Sequence, residues 1–148
     1  MSKELENKAI AVRWLAGFWS HSWTPKIVKD LAAADIVLQF SLQMPRRGRE
    51  EAKKFLIGIH EAFRDLEFHS ATDLAVDGDH IVCRLEGGGT HTGPAFLDYL
   101  IGFLPANSGR KMHLTGTTVL RIENGKIAEE MTRMTWAIER PSFRRIAA

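Results

Sequence analysis

The six histidines of this chain are the first residues to test for chemistry, because imidazole changes charge near neutral pH without help. None pairs with another at the i, i+4 spacing that puts two ligands on one helix face, and the lone Cys83 has no cysteine partner. No metal site is therefore expected. Cys83 sits among Ile81, Val82 and Leu85 and reads as a small buried apolar group. There is no Gly-x-Ser-x-Gly elbow and no dinucleotide glycine pattern; Gly87-Gly88-Gly89 leads instead into Thr90-His91-Thr92-Gly93. His91, near the rim of the expected sheet, is the candidate acid–base residue. Its other reading is a loop histidine hydrogen-bonded to backbone.

The elements that must hold these residues follow from periodicity. Residues 4–20 carry Leu5, Ala9, Val12, Ala16 and Trp19 at helical spacing, with Trp14, Leu15 and Phe18 widening the apolar stripe. Thr24-Pro25 is a helix start, followed by Ile27, Val28 and Leu31 in a short helix and by a strand over 35–40. A third helix spans about 48–66, with Ala52, Phe55, Leu56, Ile59, Phe63 and Leu66 on one face. Two hairpins come next. Strands 67–76 and 80–86 flank Asp77-Gly78, and strands 112–123 and 126–138 flank Asn124-Gly125, both good two-residue turns. Between them, 87–111 reads as a strand continuation and a helical turn without fixed boundaries. Helices first and hairpins after is an α+β pattern: a curved antiparallel sheet wrapped over three N-terminal helices, with a hollow where the layers diverge.

A regular turn at Asn124-Gly125 fixes side-chain parity. One face then holds Met112, Leu114, Gly116, Thr118, Leu120 and Ile122 beside Ile127, Glu129, Met131, Arg133 and Thr135. As the more apolar face it is expected to line the hollow. The opposite face, with Val119, Met134 and Trp136, is left for a homodimer contact, and His113 falls there against Trp136. In the other hairpin Glu86 faces His69 with Arg84 and Asp73 diagonal. That group reads as a cross-strand ion pair before it reads as a catalytic set.

Bulk properties narrow the field. The 148 residues are 45% hydrophobic and 26% charged, a single ordinary domain over 1–148 with its core at about 7–138 and a basic tail over 139–148. A net charge of +2 gives no reason to expect nucleic acid or a membrane surface as partner. Pro45-Arg46-Arg47-Gly48-Arg49 reads as a solvated loop. With no apolar stretch near membrane-spanning length and no signal-like N-terminus, a cytoplasmic protein is expected.

Several fragments in order resemble the SnoaL-like family, whose best-known members are polyketide cyclases of the nuclear transport factor 2-like fold. They are Gly48-Arg49-Glu50 and Ala62-Phe63-Arg64-Asp65-Leu66; Asp77-Gly78-Asp79 leading to Arg84; Gly89-Thr90-His91-Thr92-Gly93; Asn107-Ser108-Gly109-Arg110; and 121–129, Arg-Ile-Glu-Asn-Gly-Lys-Ile-Ala-Glu. The resemblance implies a cone-shaped α+β barrel, often dimeric through its sheet. It also implies a cofactor-free aldol-type cyclisation in which a carboxylate in an apolar pocket removes a carbon-bound proton. At the family's decisive positions this chain departs. Met131 stands where Trp is usual, Thr135 where an Asp is expected, Thr118 where some cyclases carry His, and no Asp follows Asp98.

Three functions follow. One is a cyclase- or isomerase-like enzyme on a hydrophobic carbonyl substrate, using His91. In that enzyme Glu129 and Arg133 would position a substrate oxyanion or carboxylate, or else pair with each other and stiffen the sheet. Another is a non-catalytic binder with the walls Trp14, Phe18, Phe63, Leu114, Thr118, Met131 and Thr135. The third is a dimeric interaction module. For each aromatic wall residue the competing reading is plain core packing.

Overall fold

A computed structural model of the chain describes residues 2–41, 43–70, 73–98 and 102–138; the basic tail lies outside them. Helix α1 (Lys3–Trp19) starts at Ser2, whose side chain accepts the Leu5 N–H at 3.2 Å, with Glu4 and Glu6 in the first turn favouring the positive end of the helix dipole. Its buried stripe is Asn7, Ala11, Trp14 and Phe18, joined by Gly17 and Trp19. Leu5 and Val12, which the sequence assigned to the core, are 58% and 52% exposed. The helix is apolar on most sides, and the large aromatic rings decide which side is buried.

Helix α2 (Lys26–Leu31) leads directly into strand β1 (Ala32–Phe40), where Ile36, Leu38 and Phe40 are buried at period two. Strand β2 (Arg46–Arg47) pairs with β1, so the basic run is ordered, and the Arg46 guanidinium covers the Phe55 ring at 4.5 Å as a cation–π contact. Helix α3 (Gly48–Ala62) buries Ala52, Phe55, Leu56, Ile59 and Ala62, the face expected from its periodicity. It ends four residues earlier than the pattern suggested.

Strands β3 (Glu67–Ser70), β4 (Ala75–Asp77), β5 (His80–Thr90), β8 (Lys111–Glu123) and β9 (Lys126–Ile138) complete the main sheet, in the order β2-β1-β9-β8-β5-β3 with β4 also on β5. All pairings are antiparallel except β1 with β9, which is parallel. The segment read as a helical turn is instead a short hairpin, β6 (Phe96–Asp98) with β7 (Gly102–Leu104). The sheet curves around α1 and α3, and one continuous core fills the space between. No helix among the described residues is long and apolar enough to cross a membrane.

The two turns differ. Asn124 and Gly125 both have positive φ, and Glu123 pairs with Lys126 as expected. In the other hairpin Asp77 pairs with His80, so the turn residues are Gly78 and Asp79, and only Gly78 has positive φ. His69 still faces Glu86. Both are exposed, as is Arg84, which fits an outward polar cluster.

One residue changes the reading of the sheet. Ile122 pairs with Ile127, but Arg121 pairs with Glu129, leaving Ala128 as an extra residue in β9. Such a β-bulge reverses parity for everything beyond it. Glu130 and Thr132 therefore face inward and are 0% and 1% exposed, whereas Met131 is 47% exposed and Arg133 and Thr135 are also on the outside. The inner placement expected for Glu129, Met131, Arg133 and Thr135 is overturned. The β8 half of the assignment holds: Met112, Leu114, Thr118, Leu120 and Ile122 are all buried.

Candidate active site

The sheet register builds the site from two adjacent rows. Ile81, Leu120, Glu130 and Leu38 lie side by side on β5, β8, β9 and β1; the neighbouring row is Cys83, Thr118, Thr132 and Phe40. Thr118 and Thr132 satisfy each other through a 2.8 Å hydroxyl–hydroxyl hydrogen bond. Glu130 is the sole acid among the buried described residues.

Helix α1 supplies the cover. Trp14 Nε1 and Trp19 Nε1 both donate to Glu130 Oε1, at 3.1 and 3.0 Å. Phe18 stacks on Trp14 at 5.0 Å, and Trp19 is ringed by Phe40, Phe55 and Phe68 at 5.8, 5.9 and 5.3 Å between ring centroids. Glu130 Oε2 is buried with no hydrogen-bond partner. Burial pushes the Glu130 carboxyl up to about 7, against the two indole donors that pull it down. Two neutral donors on one oxygen cannot replace the hydration of a charge. The result is a carboxyl group divided between acid and base near neutral pH, with one oxygen uncommitted.

Cys83, on the same face, is held inert. Its thiol is pushed up to about 12 by burial and, secondarily, by the charge of Glu130, so thiolate chemistry near neutral pH is not available.

His91 belongs elsewhere. It is fully buried, with Nε2 2.7 Å from the Pro94 carbonyl and Nδ1 2.7 Å from Ser108 Oγ. A carbonyl only accepts, so Nε2 carries the proton and Nδ1 accepts from Ser108. The main-chain N–H of Gly109 also bonds to the His91 carbonyl at 2.8 Å. Gly93 beside it lies so close to the Glu61 carbonyl that a Cβ would collide with backbone. His91 thus ties the loop before β8 to the end of α3, and Phe63 packs on its ring at 5.4 Å. With both nitrogens committed, the acid–base role expected for His91 gives way to the loop-histidine reading.

Of the wall residues expected from sequence, Trp14, Phe18 and Thr118 do gather around Glu130. Leu114 and Phe63 are buried, Phe63 beside His91, and Met131, Arg133 and Thr135 are on the other side of the sheet. Glu130, Trp19 and Thr132 were missed. A signal for the first existed: Glu129 and Glu130 are consecutive in a strand, so under either parity one of them faces inward. Among the described residues no group of three or more His, Cys, Asp or Glu side chains is placed to hold a metal ion.

A cleft of about 760 Å³ lies between α1 and β3, lined by Lys8, Val12, Leu15 and Ala16 on one side and by Phe68, His69 and Leu74 on the other. Phe68 is common to the cleft wall and the ring cluster around Trp19.

Comparison with known structures gives the same architecture. A protein from Jannaschia sp. CCS1 assigned to the SnoaL-like polyketide cyclases superposes with a TM-score of 0.72 at 19% identity, over 92% of this chain and 89% of that one. A protein of ketosteroid isomerase-like fold from Catenulispora acidiphila DSM 44928, in complex with trimethylamine, gives 0.62 at 18%, over 83% and 82%. SalBIII, described as an epoxide hydrolase/cyclase-like enzyme in pyran ring formation in the polyether salinomycin, gives 0.68 at 16%, over 93% and 95%. At such identities the likeness establishes the fold alone. No curated protein matches the chain. The family described as SnoaL-like polyketide cyclase matches residues 9–134, nearly the whole of the described chain, and the protein belongs to that family.

Proposed function

We propose that this protein is a cofactor-free acid–base enzyme acting on a small hydrophobic carbonyl compound, with Glu130 as the group that moves the proton. The observation that carries this reading is the Glu130 carboxyl: buried, raised to about 7, and with Oε2 unpartnered. The carboxylate that the family resemblance placed at position 135 is supplied from position 130 on the inner face. In the proposed step a C–H bond beside the substrate carbonyl breaks, its proton passes to Oε2, and the electron pair is left on the enolate. Delivery of that proton to carbon completes an isomerisation; delivery to a new alkoxide completes an aldol ring closure. A base near its operating pH contributes about 10²–10⁴-fold.

The test is deuterium incorporation at C1 of 2-tetralone, followed by NMR. Glu130→Gln keeps the indole acceptor and removes the base, so exchange is expected to fall by about 10²-fold or more. Exchange that is unchanged in Glu130→Gln defeats the reading. Binding of the ketone without exchange in the native protein would support the ligand-binding alternative. The assembly proposed with this function is a homodimer through the outer sheet face, where Val119 pairs with the exposed Met131.

A further inference from the structure

We infer that the α1–β3 cleft is the binding site for the apolar body of an uncharged, drug-sized molecule, and that Phe68 is the gate between this cleft and Glu130. The volume, about 760 Å³, lies in the range of small-molecule sites. Val12, Leu15, Ala16, Phe68 and Leu74 make an apolar floor. The exposure of Val12 and Ala16 on α1, at odds with a helix that otherwise buries its large side chains, is what the cleft requires.

The rim decides the charge of the ligand. Glu67 is occupied by His21, through the main-chain N–H and Nδ1, each at 2.6 Å. Lys8 and Asp73 line the same cleft, and neither has a salt-bridge partner among the described residues. A ligand bearing a full charge of either sign would gain from one and be opposed by the other. Neutral hydroxyl and carbonyl groups can use both, accepting from Lys8 and donating to Asp73.

The gate follows from ring geometry. Phe68 is 3% exposed and its ring is 5.3 Å from that of Trp19, whose indole holds Glu130 Oε1 at 3.0 Å. One wall ring and one covering ring thus separate the cleft from the carboxyl group. Displacing Phe68, and with it the Trp19 ring it packs on, would admit the reactive end of a molecule whose body stays between α1 and β3. The gate rests on the role proposed for Glu130; the binding site does not.

The experiment uses 2-tetralone again, titrated into the ¹⁵N-labelled full chain. The amides of Leu15, Ala16, Phe68 and Leu74 are expected to shift. Ala16→Phe, which fills the cleft from an exposed helix position, should weaken binding at least tenfold and slow exchange with it. In Phe68→Ala, 2-tetralone is expected to shift the Trp19 indole N–H, and an indole N–H that stays unmoved at saturating 2-tetralone overturns the gate. Glu130→Gln should bind like the native chain. Shifts located elsewhere, or native affinity in Ala16→Phe, overturn the site. Native exchange in an Ala16→Phe protein that no longer binds at the cleft overturns the gate. Cleft binding with no exchange in the native chain upholds the site and defeats the role of Glu130 together with the gate.

Discussion

Glu129 and Glu130 are neighbours in sequence and end on opposite faces of the sheet. Glu129 is half-buried outside, 3.4 Å from Arg121, while Glu130 is fully enclosed beneath two indoles. Both environments follow from β-strand alternation once Ala128 is taken out of register. The outer acid serves a cross-strand ion pair of small energetic worth. The inner one satisfies two buried indole N–H groups through Oε1 but leaves Oε2 desolvated and without a partner.

The cost of that desolvation is readable as a pH dependence. The folded-state pKa of Glu130 lies above its ordinary 4.5, at about 7, so the folded chain holds the proton more tightly than the unfolded one. The associated stability is fully present below about pH 4.5 and is lost as pH rises through 7, by roughly 3 kcal/mol. His60 works in the opposite direction: burial lowers its pKa despite a bond to the Phe18 carbonyl, so its contribution falls as pH drops through the unfolded value. Comparing urea unfolding of native protein and Glu130→Gln between pH 4.5 and 8 isolates the first effect. The variant is expected to gain on the native chain as pH rises, and a constant difference would show that Glu130 is not held protonated.

The indole donors set where Glu130 titrates. Trp19→Phe removes one of two hydrogen bonds to Oε1 while keeping an aromatic ring in the Phe40–Phe55–Phe68 cluster. Charge-assisted bonds of this kind are worth about 1.5–3 kcal/mol, so the midpoint of the exchange-rate profile should rise by about one to two pH units. The rate reached at high pH should survive better than the rate at pH 7. A profile with an unmoved midpoint would mean that Trp19 packs without tuning the acid.

His91→Ala tests a structural assignment. The substitution removes the donor to the Pro94 carbonyl and the acceptor of the Ser108 hydroxyl proton, and it takes away a ring packed on Phe63. A loss of about 2–4 kcal/mol is expected, seen as a lower Tm, with exchange per folded molecule unchanged. A full Tm with collapsed exchange would restore His91 as the acid–base group.

The same residues show why sequence carried the fold further than the site. The buried face of α3 is set by Phe55, Leu56 and Ile59 against polar Glu50, Lys54 and Glu61, a contrast strong enough to read directly. Asn124-Gly125 likewise demands positive φ at both turn positions, and the inner face of β8 follows from it. The α1 pattern had no such contrast, because Leu5, Ala9, Val12 and Ala16 compete with Ala11, Trp14 and Phe18 for the core. In β9 either parity places one glutamate inside, so apolar content alone favours the face with Glu129 and Met131, and the extra residue Ala128 turns Glu130 inward instead. A buried glutamate breaks the rule by which faces are assigned.

The outer face of the sheet offers a test of the proposed dimer. Met134, once assigned to that surface, packs partly buried against the core, whereas Met131 is 47% exposed opposite Val119. Met131→Glu is therefore expected to delay elution on size-exclusion chromatography toward the monomer without lowering Tm. An elution volume identical to that of the native chain removes this face as the subunit contact.

Deleting Ala128 offers the sharpest check on the bulge. A regular ladder from Ile122–Ile127 onward needs one residue fewer in β9, and Arg121 would still face Glu129 and Leu120 still face Glu130. The shortened strand thus keeps Glu130 inside, whereas the full-length strand in a regular register would turn it out and bring Met131, Arg133 and Thr135 in. The cost is the buried Ala128 methyl, local twist, and the fit of β9 to β1, where Ala32 pairs with Ile127 but Val37 with Glu129. A destabilisation of about 1–3 kcal/mol is expected, with the pH-dependent stability of Glu130 intact in unfolding curves from pH 4.5 to 8. If that pH dependence vanishes while the chain stays folded, Ala128 does more than offset the register, and the inward position of Glu130 depends on the shape of the bulge itself.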